Sequence, residues 1–241
     1  MGLGKLSVVI PAYEEAARLG PTLERVCAWL DDAAPDHELI VVDDGSRDDT
    51  AAVARRAAPR AHVHRLPTNK GKGAAVRHGV LASRGDLVLF SDADLSTPIE
   101  ECARLAERLP EADVVIGSRG LRDSRILKHQ PWYREAMGKT FNRIVQGLVV
   151  PGIHDTQCGF KLMRGAVARD VFAQATIDRF AFDVEILYVA RLRGYRVVEV
   201  PVAWTNDERT SVHAVRDSLR MFIDVLKIRR AHRGHSGRTS Q

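Results

Sequence analysis

The chain has 241 residues, of which 45% are hydrophobic and 28% charged, with a net charge of +5. These values predict a globular protein with a full hydrophobic core. No stretch approaches the roughly 18 to 20 apolar residues that span a bilayer, and the N-terminus leads into a strand rather than a signal peptide, so we expect a cytoplasmic location. The three cysteines, Cys27, Cys102 and Cys158, lack metal-ligand spacing, which favours reduced thiols over a disulfide or a zinc site.

The first half of the sequence alternates between short apolar runs and helical stretches. We predict strands at 6–13, 38–44, 62–67, 86–92 and 113–118, and helices at 15–30, 48–58, 72–83 and 98–109. This alternation predicts an α/β fold with a mostly parallel, Rossmann-like central sheet and helices on both faces.

The rhythm changes after residue 119. A polar stretch at 120–134 precedes a predicted helix near 135–149, a loop or strand through 154–163, a helix near 182–193 and a strand at 196–204. We find no internal repeat and no linker, so a single domain over residues 1–230 is the simplest prediction.

The positive charge is concentrated at the end of the chain. Residues 225–241 contain five basic and no acidic side chains, so residues 1–224 carry no net charge. Apolar residues at helical spacing, beginning at Val212, predict an amphipathic helix over 212–230, followed by a basic disordered tail at 231–241. The helix could pack on the protein body or contact anionic lipid. Nucleic-acid binding is not favoured, because no basic stripe with interleaved aromatic residues appears elsewhere.

Polar residues follow three of the predicted strands, in PAYEE (11–15), DDGSRDDT (43–50) and SDADLSTP (91–98). Ligands of open α/β sheets bind at this carboxyl edge. Asp92 and Asp94 could bind Mg²⁺ or Mn²⁺, which prefer carboxylate oxygens. Asp43 could contact a base or ribose, and Ser46 could cap the next helix. In NKGKG (69–73), two lysines at a helix N-terminus suit phosphate.

Taken singly, each of these stretches is equally compatible with an ordinary turn. Together they predict a site for a nucleoside diphosphate and a divalent cation that assists departure of the diphosphate.

Seven motifs in one order resemble a known family. PAYEE, VVDDGSRDDT, NKGKGAAVRHG, SDADLSTP, GSR (117–119), DTQCGFK (155–161) and FDVEIL (182–187) are similar to the family 2 glycosyltransferases of the GT-A fold. Within that family they most resemble the dolichyl-phosphate β-glucosyltransferases and their bacterial polyprenyl-phosphate relatives. The resemblance implies a GT-A domain with a nucleotide-sugar half at 6–119 and an acceptor half at 120–230. It also implies inverting, metal-dependent transfer of a hexose, most simply glucose from UDP-glucose, to a polyprenyl or dolichyl phosphate.

The resemblance also assigns roles to residues. Those implied to bind the nucleotide sugar are Pro11, Ala12, Tyr13, Glu15, Asp43, Asp44, Lys72, Asp92 and Ala93. Those implied to be catalytic are Asp94, Arg119, Asp155 and Lys161, with Asp92 and Asp94 as ligands of Mg²⁺ or Mn²⁺. Those implied to contact the acceptor or the sugar are Gln157, Glu185, Arg125 and Arg134, the two arginines lying in a 120–134 loop that could close as a lid. Asp155 could act as a base or only orient the sugar or Lys161, and Glu185 could instead bind Arg191 or a nearby loop.

Two departures from the family limit these implications. Ser96 stands where the related mannosyl-phosphate synthases have glutamine. We also expect this chain to lack the N-terminal membrane anchor of the eukaryotic glucosyl enzymes. We therefore expect peripheral contact with the inner face of the cell membrane through residues 212–230 and the tail, and secondarily through the 120–134 loop.

Three alternatives stay open. They are a mannosyl-phosphate lipid synthase using GDP-mannose, a polysaccharide- or protein-directed transferase, and a non-catalytic peripheral membrane module. A sugar-1-phosphate nucleotidyltransferase is disfavoured, because PAYEE stands where that class has a glycine-rich loop with arginine.

Overall fold

The computed structural model describes residues 4–207 and 214–232, without the side chains of Arg134 and of residues 214–220. Its centre is a seven-stranded sheet, and a separate two-stranded sheet pairs residues 125–128 with residues 203–205. The strands are β1 (Leu6–Ala12), β2 (His37–Asp43), β3 (His62–Arg65), β4 (Leu87–Ser91), β5 (Val114–Ser118), β6 (Arg125–Lys128), β7 (Phe160–Arg164), β8 (Val197–Pro201) and β9 (Ala203–Thr205). The helices are α1 (Ala16–Ala33), α2 (Thr50–Ala57), α3 (Lys72–Ala82), α4 (Glu101–Ala106), α5 (Trp132–Leu148), α6 (Gly165–Gln174), α7 (Phe182–Leu192) and α8 (Ala214–Ala231).

The central sheet is buried on both faces. In β1, Val8 and Ile10 pack into the core formed with α1, α2 and α4, whereas Val9 points into the core formed with α3, α6 and α7. Alternate side chains of a strand point to opposite faces, so a run that is apolar throughout is what such a sheet requires. The predicted α/β architecture with helices on both faces is confirmed.

The strand order is β3-β2-β1-β4-β7-β5-β8, and all neighbours pair in parallel except β7, which is antiparallel to β4 and β5. Because β7 is reversed, its first residue, Phe160, pairs with Ser91 at the end of β4. The preceding loop, residues 155–159, therefore lies at the same edge as the carboxyl ends of β1, β2 and β4. This reversal brings DTQCG next to SDAD.

Several predicted elements differ in detail. The polar stretch 120–134 contains β6, whose sequence RILK has too few apolar residues to indicate a strand. Helix α6 was not predicted; it starts directly after β7 without a side-chain cap. The predicted helix at 98–109 is only Glu101–Ala106, and the strand at 196–204 divides into β8 and β9. The domain boundaries stay a prediction.

The three cysteines are free, as predicted, and burial raises the pKa of Cys158 to about 11 and that of Cys102 to about 12. Both of these thiols are therefore protonated at neutral pH.

Helix α8 packs on the protein body through Val225 and Ile228, which are buried in the core, while Ile223 and Leu226 are exposed. The described part of α8 therefore packs on the protein body, which was the first of the two alternatives for the amphipathic segment. The predicted tail beyond residue 232 lies outside the described residues. Within the described part of the chain, no helix is both long and apolar enough to cross a membrane.

Candidate active site

The Asp92–Asp94 turn is fastened to its surroundings by backbone groups. The N–H of Asp92 donates to the carbonyl of Gly159 (3.2 Å), and the Thr22 hydroxyl donates to the carbonyl of Ala93 (2.8 Å). The N–H of Ser96 donates to Asp94 Oδ1 (2.9 Å). Leu95 has a φ of 45°, in the left-handed region that turns the chain sharply. The two carboxylates therefore sit on a turn held in one conformation.

The electrostatics of this turn suit a cation. Burial raises the pKa of Asp94 above its ordinary value, and the neighbouring charge of Asp92 raises it further. Asp92 Oδ1 lies 2.6 Å from Lys72 Nζ as an ion pair, yet this buried oxygen accepts no well-aligned hydrogen bond. Two neighbouring carboxylates beside an ammonium group are what a site for a divalent cation and a diphosphate presents before binding.

A second layer of charge lies behind Lys72. Lys161 is fully buried, pairs with the Asp183 carboxylate and donates to the carbonyl of Cys158 (2.6 Å). Burial alone would lower the pKa of Lys72, but Asp92 and then Asp183 raise it above its ordinary value. The order of charges from the interior to the surface is therefore Lys161, Asp183, Lys72 and Asp92.

Glycine at position 159 allows the loop before β7 to approach Asp92. A Cβ atom on this residue would lie 2.2 to 2.5 Å from the three carboxylate atoms of Asp92. A side chain at position 159 would overlap the Asp92 carboxylate, so the glycine of DTQCGFK is what allows the first aspartate of SDAD to lie against this loop.

Arg119 and Asp155 form a two-point ion pair. Arg119 donates from Nε to Asp155 Oδ2 (2.6 Å), from Nη2 to Oδ1 (2.8 Å), and from its backbone N–H to Oδ2 (2.9 Å). The guanidinium also lies over the ring of Trp204, 5.3 Å from its centroid. Burial would raise the pKa of Asp155, but the charge and hydrogen bonds of Arg119 lower it below the ordinary value. Asp155 is thus an ionised carboxylate whose oxygens are both engaged.

The loops at the ends of β1 and β2 are tied together by side-chain acceptors. Asp43 Oδ1 accepts from the N–H of Ser46 (2.9 Å), and Asp44 accepts from the N–H groups of Lys70 (2.9 Å) and Gly71 (2.7 Å). Ser46 Oγ accepts from the N–H of Glu14 (2.9 Å). The prediction that Ser46 caps the next helix was wrong: α2 begins at Thr50, and this hydroxyl serves the PAYEE loop instead.

A groove opens beside Asp94. Its volume is about 570 Å³, and its lining includes Asp94, Ser96, Arg25, Lys128 and Asn206. Among the described residues no group of three or more His, Cys, Asp or Glu side chains could hold a metal ion. That Asp92 and Asp94 are metal ligands stays a prediction.

Comparisons with known proteins identify the family of this chain. The family described as "Glycosyl transferase family 2" matches residues 7–172. The chain belongs to glycosyltransferase family 2. Two curated relatives are named dolichyl-phosphate beta-glucosyltransferase: the one from Dictyostelium discoideum is 35% identical over 93% of this chain and 73% of its own length. The human one is 34% identical over 93% of this chain and 75% of its own length. The predicted family resemblance is confirmed.

Solved structures show the same fold. Mannosyl-3-phosphoglycerate synthase from Rubrobacter xylanophilus has a TM-score of 0.71 and 22% identity, with 99% of this chain and 77% of that chain covered. Glucosyl-3-phosphoglycerate synthase from Mycobacterium tuberculosis, in complex with Mn²⁺, UDP-glucose and phosphoglyceric acid, has a TM-score of 0.68 and 17% identity, with 94% and 80% covered. The predicted GT-A fold is confirmed, and the protein is a glycosyltransferase.

In this family 2 glycosyltransferase, the predicted site residues fall into two groups. The first lies at or beside the shared strand edge and comprises Pro11, Ala12, Tyr13, Glu15, Asp43, Asp44, Lys72, Asp92, Ala93, Asp94, Arg119, Asp155 and Gln157. Gln157 has a buried side-chain nitrogen that finds no hydrogen-bond partner within residues 4–207 and 214–232. Such a donor is poised for a ligand oxygen.

The second group lies away from this edge or makes other contacts. Lys161, predicted to be catalytic, belongs to it, because its fully buried ammonium group pairs with Asp183. Glu185 is fully buried and accepts from the N–H groups of Thr176 (3.0 Å) and Ile177 (2.8 Å), and it lies 2.9 Å from His232 Nε2. Glu185 therefore binds the backbone of a nearby loop rather than Arg191, in agreement with one of the two structural alternatives given above. Arg125 is 71% exposed, and the side chain of Arg134 lies outside the described residues. The roles assigned to individual residues stay predictions.

Asp183 and Gly159 were not singled out from the sequence, although both lie in motifs that were quoted. A buried lysine requires a buried acid, so a lysine in an otherwise apolar strand such as FKLM is a signal that could have directed attention to Asp183.

Proposed function

We propose that this glycosyltransferase transfers glucose from UDP-glucose to a polyprenyl or dolichyl phosphate, releasing UDP and giving a β-linked glucosyl phosphate lipid. The observation that carries the proposal is the identity of 34 to 35% to dolichyl-phosphate beta-glucosyltransferases over 93% of the chain. The geometry is compatible with it, because the SDAD turn, Lys72 and the DTQCG loop meet at one edge of the sheet.

We further propose that Asp92 and Asp94 hold Mg²⁺ or Mn²⁺. The residues fit such an ion: the two carboxylates share one turn, and burial and then the neighbouring charge of Asp92 raise the pKa of Asp94, an unfavourable environment for its charge that a bound cation would offset. The solved M. tuberculosis relative was crystallised with Mn²⁺ and UDP-glucose, which supports a divalent cation in this fold. When bound, the ion would stabilise the negative charge that develops on the departing diphosphate.

The chain itself contributes binding and orientation. The Lys72 ammonium, held between Asp92 and Asp183, supplies a positive charge to the diphosphate. The end of β1 with Tyr13, and Asp43 at the end of β2, would form the nucleoside pocket; Asp43 is fixed by the Ser46 N–H, so its orientation is set before the donor binds.

Attack on the sugar does not require a strong general base. A phosphate oxygen of the acceptor is already anionic near neutral pH, and it forms a bond to the anomeric carbon as the bond to the UDP oxygen breaks on the opposite face. The lowered pKa of Asp155 supports this mechanism, because a carboxylate of that kind takes up a proton poorly. We propose that Asp155 instead holds Arg119 in place for an anionic substrate group.

The test is a donor and acceptor panel with product mass as the readout. UDP-glucose, UDP-galactose and GDP-mannose are each paired with a short polyprenyl phosphate and with 3-phosphoglycerate, with and without chelator. We expect a glucosyl phosphate lipid from UDP-glucose, lost in chelator and in Asp94→Asn. Equal or better turnover with GDP-mannose or with 3-phosphoglycerate would refute the proposed donor or acceptor, and full turnover in chelator would refute the metal.

A further inference from the structure

Glu185 binds several hydrogen-bond donors at once inside the protein. Its side chain is fully buried, and its carboxylate oxygens accept from the Thr176 N–H (3.0 Å to each oxygen), the Thr176 hydroxyl (2.7 Å) and the Ile177 N–H (2.8 Å). Hydrogen bonds of this kind compensate a buried carboxylate for its lost hydration. Because the side chain has no exposed surface, Glu185 can act on the active site only through the residues that it binds.

The segment that Glu185 holds is the α6–α7 loop, residues 175–181, and this loop packs on the start of α3. The N–H of Ala74 donates to the carbonyl of Asp178 (3.0 Å). Arg77 of α3 pairs with the Asp178 carboxylate. The loop is therefore bound from two sides, by the Glu185 carboxylate of α7 and by polar groups of α3.

The α6–α7 loop also makes close contacts with the two glycines that flank Lys72. A Cβ atom on Gly71 would lie 2.5 Å from the carbonyl oxygen of Asp178, and a Cβ atom on Gly73 would lie 2.5 Å from that of Ile177. Real Cβ contacts essentially never fall below 3.0 Å, so glycine is what lets the loop backbone approach α3 this closely. The loop thus lies against the backbone on both sides of Lys72.

The same loop leads into an aromatic ring that supports the lysine side chain. Phe182, the first residue of α7, is buried, and Lys72 Nζ lies over its ring, 5.9 Å from the centroid. On its other side this Nζ lies 2.6 Å from Asp92 Oδ1. The position of the ammonium group at the candidate diphosphate site therefore depends on where the loop and the start of α7 are held.

Glu185 has a further partner directly after α8. His232 is buried, and its Nε2 lies 2.9 Å from Glu185 Oε1. A carboxylate only accepts, so Nε2 carries the hydrogen and donates it. The ring of Tyr188 packs beside the imidazole, with the two centroids 6.3 Å apart. The end of α8 thus fixes the carboxylate that holds the loop.

We propose that Glu185 is a positioning residue for the donor site: through the α6–α7 loop it holds Lys72 in place beside Asp92, and His232 fixes Glu185 in turn. The role of Lys72 at the diphosphate rests on the proposed function. Glu185 then contributes to donor binding without touching any substrate, and the end of α8 becomes part of the support of the donor site.

The test is a double-variant cycle on the full chain, with UDP and Mn²⁺ as the probe and calorimetry as the readout. Glu185→Gln keeps the shape of the side chain but turns one acceptor oxygen into an amide NH₂ group, which faces the donors of the loop. We expect it to weaken UDP binding about tenfold, and Lys72→Met to weaken it about tenfold to a hundredfold. In the Lys72→Met background, Glu185→Gln should weaken binding by less than about twofold more, because the ammonium group that it positions is gone.

Glu38→Gln is the matched control. Glu38 also accepts from a backbone N–H distant in sequence, that of Arg84, but it lies at the amino end of β2, at the opposite edge of the sheet. It should leave UDP affinity unchanged in both backgrounds, even where it lowers the free energy of unfolding. Unchanged UDP affinity in Glu185→Gln, or a loss as large in the Lys72→Met background as in the wild type, would overturn the proposal.

His232 provides a test that leaves Glu185 itself intact. His232→Leu removes a hydrogen bond to the carboxylate and should weaken UDP binding about threefold. His232→Gln should restore the affinity, because its amide can donate from nearly the same place. If Glu185→Gln does not fold, these two variants decide the matter: wild-type affinity in His232→Leu, or equal losses in His232→Leu and His232→Gln, would overturn the proposal.

UDP binding separates this role from the proposed function, because it involves neither the sugar nor the acceptor. Wild-type protein that transfers glucose from UDP-glucose, with UDP affinity unchanged in Glu185→Gln, would refute the positioning role and leave the function standing. Wild-type protein that binds GDP in place of UDP would refute the proposed donor. The same cycle with GDP would then test Glu185, since both nucleotides carry the same diphosphate. Wild-type protein that binds neither nucleotide would overturn both.

Discussion

Replacing Gly159 with alanine tests whether the DTQCG loop fixes the position of Asp92. The added Cβ would lie 2.2 Å from the nearest carboxylate oxygen of Asp92, whereas real Cβ contacts essentially never fall below 3.0 Å. The two groups must therefore separate by about 0.8 Å. Gly159 carries the backbone carbonyl that accepts from the Asp92 N–H, so the carboxylate cannot move aside without disturbing the turn or leaving Lys72.

A displacement of about 1 Å in a catalytic group can lower the rate about a hundredfold, which corresponds to roughly 2.7 kcal/mol of transition-state stabilisation. We therefore expect Gly159→Ala to lower kcat/KM for the donor by about two orders of magnitude and to weaken binding of Mn²⁺ or Mg²⁺. The variant should still fold, because the strain falls on one side chain at the surface edge of the sheet.

The assay is steady-state kinetics with a short, water-soluble prenyl phosphate, together with a metal titration in which the binding of UDP is the readout. Gly20→Ala is the control, because Gly20 lies inside α1 and its added Cβ would make an ordinary contact of 3.7 Å with Val53 of α2. It should keep wild-type kcat/KM, and we expect no gain in stability, because Gly20 precedes Pro21 in the helix and a Cβ at this position crowds the proline ring. Kinetics within twofold of the wild type and unchanged metal affinity in Gly159→Ala would refute the reasoning.

Three further outcomes are expected. Lys72→Met should lower kcat by a factor of about 10² to 10³, because it removes a positive charge from the diphosphate site. The control Lys70→Met, at an exposed side chain, should keep kcat within about threefold of the wild type. Similar losses in both variants would contradict a specific role for Lys72. Asp183→Asn should lower the free energy of unfolding, measured with urea, by about 3 to 5 kcal/mol, because it leaves Lys161 buried without its partner. The double variant with Lys161→Met should recover part of this loss. No recovery would contradict a stabilising ion pair between the two residues. The pKa of Asp155 is lowered in the folded state, so its contribution to stability is present above the unperturbed value of about 3.9 and is lost as the pH falls through the folded value. Urea midpoints should accordingly fall more steeply below about pH 4 in the wild type than in Asp155→Asn, and parallel curves would contradict the lowered pKa.

The nucleotide-binding layer was predictable because its strands are long apolar runs between helical stretches. The run VLF and the two aspartates that follow it placed the candidate metal ligands at the end of β4, and β4 ends at Ser91. Local pattern was sufficient there, since the edge of a parallel sheet is defined by the direction of its strands.

The pairings made at long range were not predictable in the same way. The sequence FKLM does not indicate that β7 runs antiparallel between β4 and β5. The close approach of Gly159 to Asp92 depends on that reversal. The partner of Lys161 is 22 residues away on α7, so the buried pair depends on tertiary packing. The 120–134 stretch predicts a polar loop because charged and polar residues separate its few apolar ones, and this pattern conceals the short strand β6.

The reversed strand β7 also affects the order in which the protein can be completed during synthesis. Strand β5 pairs only with β7 and β8 within the central sheet, so it has no neighbour until the chain has grown past Arg164. Until then β4 is an unprotected edge beside β1, and the backbone contact of Asp92 with Gly159 cannot form. Pairings this distant in sequence form slowly and leave a strand edge open to other chains. A shortened chain ending after β5 would therefore be prone to aggregate rather than to behave as a separate donor-binding unit.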